Sequence, residues 1–425
     1  MNHTKKFNPF KPNHPIHSDL FSGRIPEIKK INSLLSMIKS GNPSNLLIIG
    51  ERGIGKTSLL LLINALARGK INLTNEESYN YLTIQFNLDE NMNQLGLIKK
   101  INRALQRNLN KEEGAVAFIK KTWDFLKRIE IADSRLRDKE CSIDSVEIFD
   151  DFVYSLSDTV NTFTSESLLS ENGLKSKKDG ILILIDEVDN ASSELNLGTF
   201  LKNLSESLLI EGCSNIQFVL SGLPKIRQIL SSSHQSSLRL FEEMELLPLE
   251  TEDIASIFRK GLKTVNDKLE AEKYSFSPKA LDLMVNVSEG YPHFIQQIGY
   301  SVFEINTDDE INLTTATEAT FGEGGAIELI GTRYYYDMYY NQIKEDSYRE
   351  ILQIMANKLG DWVSRQEILS DFSKSSNILD NGIKALKKRN IILSKTGSRG
   401  WYKLQWMGFG FWIIFVTSKN TPLEE

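Results

Sequence analysis

Apolar residues along this chain fall into two kinds of pattern, and the change from one to the other marks its organisation. Up to about residue 247, short runs that are apolar throughout alternate with stretches whose apolar residues recur at helical spacing. Leu46-Leu47-Ile48-Ile49 and Ile181–Ile185 are runs of the first kind, as expected of parallel strands buried on both faces, and Ile216–Leu220, apolar but for Gln217, predicts another buried strand. Tyr81–Leu88 alternates through Leu82, Ile84, Phe86 and Leu88 and predicts a further strand. A last short strand is predicted at Glu245–Leu247. Between them, Ile28, Ile31, Leu34, Leu35 and Ile38 trace one face of a helix over 27–38, and Ser58–Ala67 predicts an apolar helix. Residues from about 92 to 178 predict mostly helix, with a Ser-rich loop near 164–178. Strands alternating with helices predict an α/β layer structure with a mainly parallel sheet.

From Leu249 onwards the strand signals stop. Thr251 predicts the N-cap of a helix running through Leu262, and Ser277-Pro278 supplies the cap and first residue of a second. Gly290 ends that helix and Pro292 opens a third. Phe321–Gly325 has the composition of a flexible joint. Beyond it, Tyr348–Ala356, Ser364–Leu369 and Ser376–Lys388 predict three helices. Ile391–Ser394 and Trp401–Gln405 predict a hairpin, so the outline is that of a winged helix-turn-helix. The expected organisation is an extended segment over 1–22, where Pro9, Pro12 and Pro15 fix the backbone. An α/β core follows over 23–248 with a helical insertion at about 92–178, then a helical domain over 249–322 and a winged helix over 326–425.

A length of 425 residues agrees with two or three domains. The net charge of −6 argues against a wholly basic nucleic-acid binder but leaves room for one small basic domain. Cys141 and Cys213 have neither a metal-ligand spacing nor the density of a disulfide framework, which suits a reducing, cytoplasmic setting. No export signal is expected in Met1–Leu20, and Met407–Val416 is too short to span a bilayer, so no membrane is expected.

The chemistry concentrates at two places. Gly50-Glu51-Arg52-Gly53-Ile54-Gly55-Lys56-Thr57 is a complete G-x-x-x-x-G-K-[ST] pattern between a predicted strand and a predicted helix. Its glycines let successive N–H groups face one point at a helix N-terminus, which is how a phosphate is held without large side chains. Gly50, Gly53, Ile54, Gly55, Lys56, Thr57 and Ser58 are therefore candidate nucleotide-binding residues, with Lys56 for the β and γ phosphates and Thr57 for Mg²⁺. Asp186-Glu187 closes the apolar run from Ile181, which puts two carboxylates where open α/β sheets bind ligands. Asp186 is the candidate for Mg²⁺ and Glu187 for the attacking water; Asp189 suits a structural role at a helix start.

Other positions carry two readings each. Ser221, after a strand, suits contact with phosphate or water, or merely the turn Ser221–Pro224. Arg239 suits an arginine finger on a neighbouring subunit's nucleotide, or a surface salt bridge. Phe21 with Gly23 and Arg24 suits an adenine flank, or Phe21 a hydrophobic staple. Pro292 opens a helix that would face nucleotide on closure, and His293 beside it fits a structural role better than a ligand. Lys384, Lys387, Lys388 and Arg389 gather at the end of the third winged-helix helix, with Lys395, Arg399 and Lys403 on the wing. That arrangement suits phosphates of duplex DNA, or simply complements a helix dipole.

Together these residues resemble AAA+ P-loop ATPases of the origin-recognition and archaeal-ATPase type, related to the STAND ATPases. The resemblance rests on Phe21-Ser22-Gly23-Arg24 with Glu27, both nucleotide motifs, Ser221, Leu246–Leu249, Gly290-Tyr291-Pro292, Tyr402-x-Leu404 and Phe411-Trp412-Ile413. It implies a P-loop NTPase sheet, a helical lid and a winged helix, with Mg-ATP and assembly into a homo-oligomer or a complex with a protein partner. The long interval before Asp186 departs from the pattern, as does Gly-Tyr-Pro-His in place of the arginine common in second sensors. The second departure leans towards a slow or partner-stimulated regulatory ATPase. Two alternatives stand beside it: a nucleotide-sensing scaffold without turnover in a bacterial defence or signalling system, such as antiviral defence, and an ATP-dependent DNA-binding loader.

Overall fold

The computed structural model describes residues 7–14, 23–73, 78–109, 113–127, 145–172, 174, 176–270, 273–395 and 397–419. The chain divides into two compact units. Arg24–Leu247 lies in one; the residues from Pro248 onward, with 7–14 and Gly23, lie in the other.

The first unit runs α1 (Ile25–Lys39), β1 (Asn45–Gly50), α2 (Lys56–Ala67), β2 (Leu82–Asn87), α3 (Gln94–Leu109), α4 (Glu113–Thr122), α5 (Ser145–Thr164) and α6 (Glu166–Glu171). It continues with β3 (Ile181–Asp186), α7 (Leu197–Ile210), β4 (Ile216–Gly222), α8 (Ile226–Ser233) and β5 (Phe241–Leu246). The sheet order is β2-β3-β4-β1-β5 and every pairing is parallel. A parallel sheet brings all its carboxyl ends to one edge, and the register sets Asn87 beside Asp186 and Ile48 beside Ser221 there. Every residue of β3 is buried, which explains why it reads as an unbroken apolar run.

Two expectations for this unit need correcting. The last strand begins at Phe241, not Glu245. It is an edge strand: Phe241, Met244 and Leu246 are buried, while Glu242, Glu243 and Glu245 dilute the apolar signal. Arg227 pairs with two of these glutamates, at 2.9 and 3.0 Å. The expected loop near 164–178 contains the helix α6, whose Leu169 is buried. The helices between β2 and β3 share the core of this unit. Trp123 and Phe152 lie 5.7 Å apart, Phe152 stacks on Phe200 of α7 at 6.0 Å, and all three belong to the core under the sheet.

The second unit begins with α9 (Thr251–Leu269), β6 (Ser275–Phe276), α10 (Pro278–Ser288), α11 (Pro292–Ile305), β7 (Glu310–Ile311), α12 (Leu313–Phe321) and α13 (Ala326–Tyr334). Ser277 caps α10 by accepting from the Ala280 N–H, as its sequence position predicts. Here α9 runs seven residues past the predicted Leu262, and β6 pairs with β7 where no strand was expected. The N-terminal segment is anchored on these helices. Phe10 is 3% exposed against Gly261 and Gly299, Asn8 donates to the Tyr300 carbonyl, and the Lys11 N–H donates to buried Gln296.

The winged helix follows as α14 (Asp346–Ala356), β8 (Val363–Ser364), α15 (Arg365–Asp371), α16 (Ser376–Lys388), β9 (Ile392–Ser394) and β10 (Trp401–Leu404). Its antiparallel sheet has the order β8-β10-β9. Ser364 and Glu367 form a reciprocal capping box on α15. A final helix, α17 (Met407–Lys419), was not anticipated, because an apolar run containing two glycines has no amphipathic period. It packs on α13 and α14 through Trp412 and Phe409, so the helices before residue 322 and the winged helix share one unit. Among the described residues no helix is long and apolar enough to cross a membrane.

The packing of α17 on α13 is close enough to test. A β-carbon at Gly331 would coincide with the Trp412 ring, and neither helix can yield without losing the contact. Gly331→Ala is expected to destabilise the second unit by roughly 1–3 kcal/mol, an overpacking effect. A lowered midpoint in denaturant unfolding checks this.

Candidate functional site

The site is assembled at the carboxyl edge of the parallel sheet. β1 ends at Gly50, and the loop turns through Gly53 and Gly55, both at positive φ (81° and 100°), into α2 at Lys56. Gly55 is the residue before the helix, so the first amides of α2 face the loop interior. Gly50 admits no side chain: a β-carbon there would stand 2.7 Å from the Ile54 side chain.

Within this loop Lys56 folds back, and its Nζ donates to the carbonyls of Gly50 (2.9 Å) and Glu51 (2.8 Å). Burial holds its pKa below the usual lysine value, against the opposing pull of Asp186, Asp189, Glu51 and Glu187. Thr57 Oγ1 donates to Asp186 Oδ2 at 2.6 Å. Asp186 is 2% exposed. Its other oxygen accepts from the Ser221 hydroxyl and, at 2.9 Å, from the Glu187 N–H. Ser221 is fully buried, so in this arrangement its hydroxyl fixes the aspartate.

Glu187 is exposed and takes the left-handed conformation (φ 55°, ψ 37°), a strained one for a residue with a side chain. Asn87 Nδ2, at the end of the neighbouring strand β2, donates to its carboxylate at 3.2 Å. Asp189 accepts from the Leu223 N–H at 3.0 Å and pairs with Lys225 at 3.5 Å. It thereby ties the turn after β3 to the turn after β4, a structural role. Arg24 is buried, with φ 61°. Its guanidinium reaches the Ile54 carbonyl (3.4 Å) and Glu27 (3.2 Å), which connects the start of α1 to the glycine loop.

Lys56, Thr57, Asp186, Glu187, Ser221, Arg24 and Ile54 are thus brought together in the first unit. Ser58 follows Thr57 on α2. Arg239 is exposed on the turn Ser237–Leu240, with no ion pair among the described residues. Gly23 and Pro292 belong to the second unit. Gly23 (φ 75°) packs against Asp253, and Pro292 is the first residue of α11. His293 lies 4.7 Å from the Tyr334 ring. Phe21 falls outside the described residues. Asn87 escaped the sequence reading because its partnership with Glu187 depends on strand register, which no local pattern encodes.

No group of three or more histidine, cysteine or acidic side chains that could hold a metal occurs among the described residues. The pair Thr57–Asp186 fits Mg²⁺ differently. One hydroxyl and one carboxylate beside a phosphate cradle are what that ion uses when phosphates and water fill the remaining positions.

A second candidate surface lies on the winged helix. Lys384, Lys387, Lys388 and Arg389 are exposed on and just after α16, and Arg399 is exposed in the wing. Asn377, Asn381, Lys384 and Lys388 recur at helical spacing along one exposed stripe of α16; the two asparagines were not singled out by sequence. Asp380 on the same helix is engaged by Arg365 through two bonds of 2.7 and 2.9 Å. From Trp362 to Gln405 the chain carries nine lysines and arginines against three acidic residues, although its overall charge is −6.

Comparison with known proteins agrees with this geometry. Residues 39–230 match the AAA domain family. No curated protein matches the sequence. Among solved structures, the ORC2 protein of Aeropyrum pernix, in ADPNP and ADP complexes, superposes with a TM-score of 0.57 at 14% identity. That alignment covers 98% of this chain and 99% of the other. A Walker-type ATPase of Pyrococcus abyssi superposes with a TM-score of 0.54 at 13% identity, covering 96% of this chain and 99% of that one. Residues 39–230 therefore form an AAA domain, and the whole chain has the ORC-type fold, in which a P-loop parallel sheet, a helical lid and a winged helix follow one another.

Proposed function

We propose that this protein binds Mg-ATP at Gly50–Thr57 and hydrolyses it slowly, as a regulatory switch whose winged helix engages duplex DNA. The observation that carries the reading is the Thr57–Asp186 hydrogen bond of 2.6 Å with Glu187 adjoining it at the sheet edge. The ADPNP and ADP bound by the Aeropyrum relative support the same ligand class.

Phosphoryl transfer to water needs positioning and charge neutralisation more than covalent chemistry. Lys56 Nζ exchanges its two loop carbonyls for phosphate oxygens. Thr57 and Asp186 would hold Mg²⁺, which when bound would supply charge neutralisation to the phosphates. Ser221 keeps the Asp186 carboxylate oriented. Gly50, Gly53, Ile54, Gly55 and Ser58 line the phosphates, and Arg24 braces the loop from behind through Ile54. Gly23, Phe21 and Pro292 belong to the nucleotide side of the reading. Glu187 polarises the attacking water. Its carboxylate is engaged by Asn87, which supports a low basal rate raised by a partner. Arg239, exposed and with no ion pair among the described residues, acts on the nucleotide of an adjacent copy in a homo-oligomer.

The DNA half of the proposal rests on local charge. Lys384, Lys387, Lys388 and Arg399 contact phosphates, while Asp380 is kept from repelling them by Arg365.

Three measurements test this. Glu187→Gln retains ATP binding and loses turnover by roughly 10²–10⁴-fold, while Asn87→Ala raises basal turnover; normal hydrolysis in the first variant removes Glu187 from the mechanism. Lys384→Ala and Lys388→Ala each weaken duplex binding and lower the slope of log affinity against log salt by about 1. Salt-independent or absent binding instead makes the winged helix a protein-docking module. Sizing with ATP and with ADP shows nucleotide-dependent assembly, and Arg239→Ala loses turnover in the assembled form alone.

A further inference from the structure

The winged helix and the helices before it are joined by α17, and the start of that helix rests on one half-buried acid. Glu289 follows α10 in the left-handed conformation (φ 50°), and its side chain reaches the first turn of α17. Oε1 accepts from the Met407 N–H, and the Gly408 amide lies close enough to favour the charged form. Oε2 is buried without a hydrogen-bond partner. So is the Tyr335 hydroxyl, which would lie 3.1 Å from a β-carbon at Gly408. Beside them Trp406 Nε1 donates to Tyr291 Oη at 3.0 Å. The turn from Glu289 to Tyr291 therefore holds the last helix at two points. The same turn is fixed from the other side, where the Leu249 N–H donates to the Gly290 carbonyl at 2.9 Å.

We propose that Glu289 is a proton-controlled latch: in its neutral form it keeps α17 docked on the lid helices, and in its charged form it loosens that dock and with it the winged helix. This stands independently of the nucleotide chemistry above.

The physical basis is an imbalance of donors. A carboxylate at a helix N-terminus gains from the dipole and from amide hydrogen bonds. Here one oxygen has no donor among the described residues, and taking a poorly paired charge out of water is the larger effect. Burial accordingly pushes the Glu289 pKa up to about 7, while the Met407 and Gly408 amides and Lys403 on β10 pull it down less. Tyr335 is the other titratable group coupled to it, and burial pushes that hydroxyl's pKa well up. Between Met407 and Thr417, α17 itself carries no ionisable side chain.

The sign follows from linkage. The docked state holds the proton more tightly than an undocked glutamate, whose pKa lies near 4.5. Docking is therefore strongest below that value and weakens as pH rises through about 7, where the loss levels off. Between pH 6 and pH 8 the opening constant of α17 is expected to rise about tenfold.

Hydrogen exchange on the full chain, corrected for intrinsic rates, reads this directly. Protection of the amides over 410–417 should fall about tenfold from pH 6 to pH 8. Glu289→Gln, which cannot ionise, should show equal protection at both. Unchanged protection in the native chain, or the same fall in the variant, overturns the proposal. If the variant does not fold, a ¹³C titration of the glutamate carboxyls in the native chain decides. A midpoint between 6 and 8 lost on Tyr335→Phe or Trp406→Phe perturbation supports the latch, and all midpoints near 4.5 sink it.

Discussion

The Asp186 carboxylate is the point at which the sheet, the glycine loop and the turn after β3 are fixed to one another. A charge that is 2% exposed beneath a fully apolar strand is tolerable only if it is hydrogen-bonded on both oxygens. The donors come from three elements: Thr57 from α2, Ser221 from β4, and the N–H of Glu187 from the chain that leaves β3. Each must be in place for the others to be. The parallel order β2-β3-β4-β1-β5 meets this condition, because β1 and β3 flank β4 and their carboxyl ends converge on one edge. The left-handed strain at Glu187 is sustained by the same arrangement: its N–H is held by Asp186 and its carboxylate by Asn87.

Much of this was legible in the sequence, for reasons that differ by element. β1, β3 and β4 are buried on both faces; the first two leave unbroken apolar runs and β4 a run interrupted only by Gln217 before Ser221. The glycine loop is legible because its backbone demands glycine at positive φ, and Asp186-Glu187 because carboxylates directly after such a run have few structural reasons to be there. The edge strand β5 hid behind three glutamates, since only one of its faces is covered. The helix α17 hid because it is apolar all round, which removes the period by which a helix is recognised. Asn87 at Glu187 and Ser221 at Asp186 are products of strand register, so the residue types were visible and the pairings were not.

The two carboxylates Asp186 and Glu289 show how donor count decides what an acid can do in this molecule. Asp186 receives three donors across its two oxygens. Glu289 receives its donors on one side only, from the start of α17, and its second oxygen, like the Tyr335 hydroxyl, is buried without a partner among the described residues. The same functional group is thereby hydrogen-bonded on both oxygens in one unit and on one oxygen in the other. Adding a donor to Oε2 of Glu289 would make the charged form cheap and turn the dock of α17 into an ordinary helix cap, insensitive to pH near 7. Position in the fold, rather than residue type, separates an acid satisfied on both oxygens from one that titrates near 7.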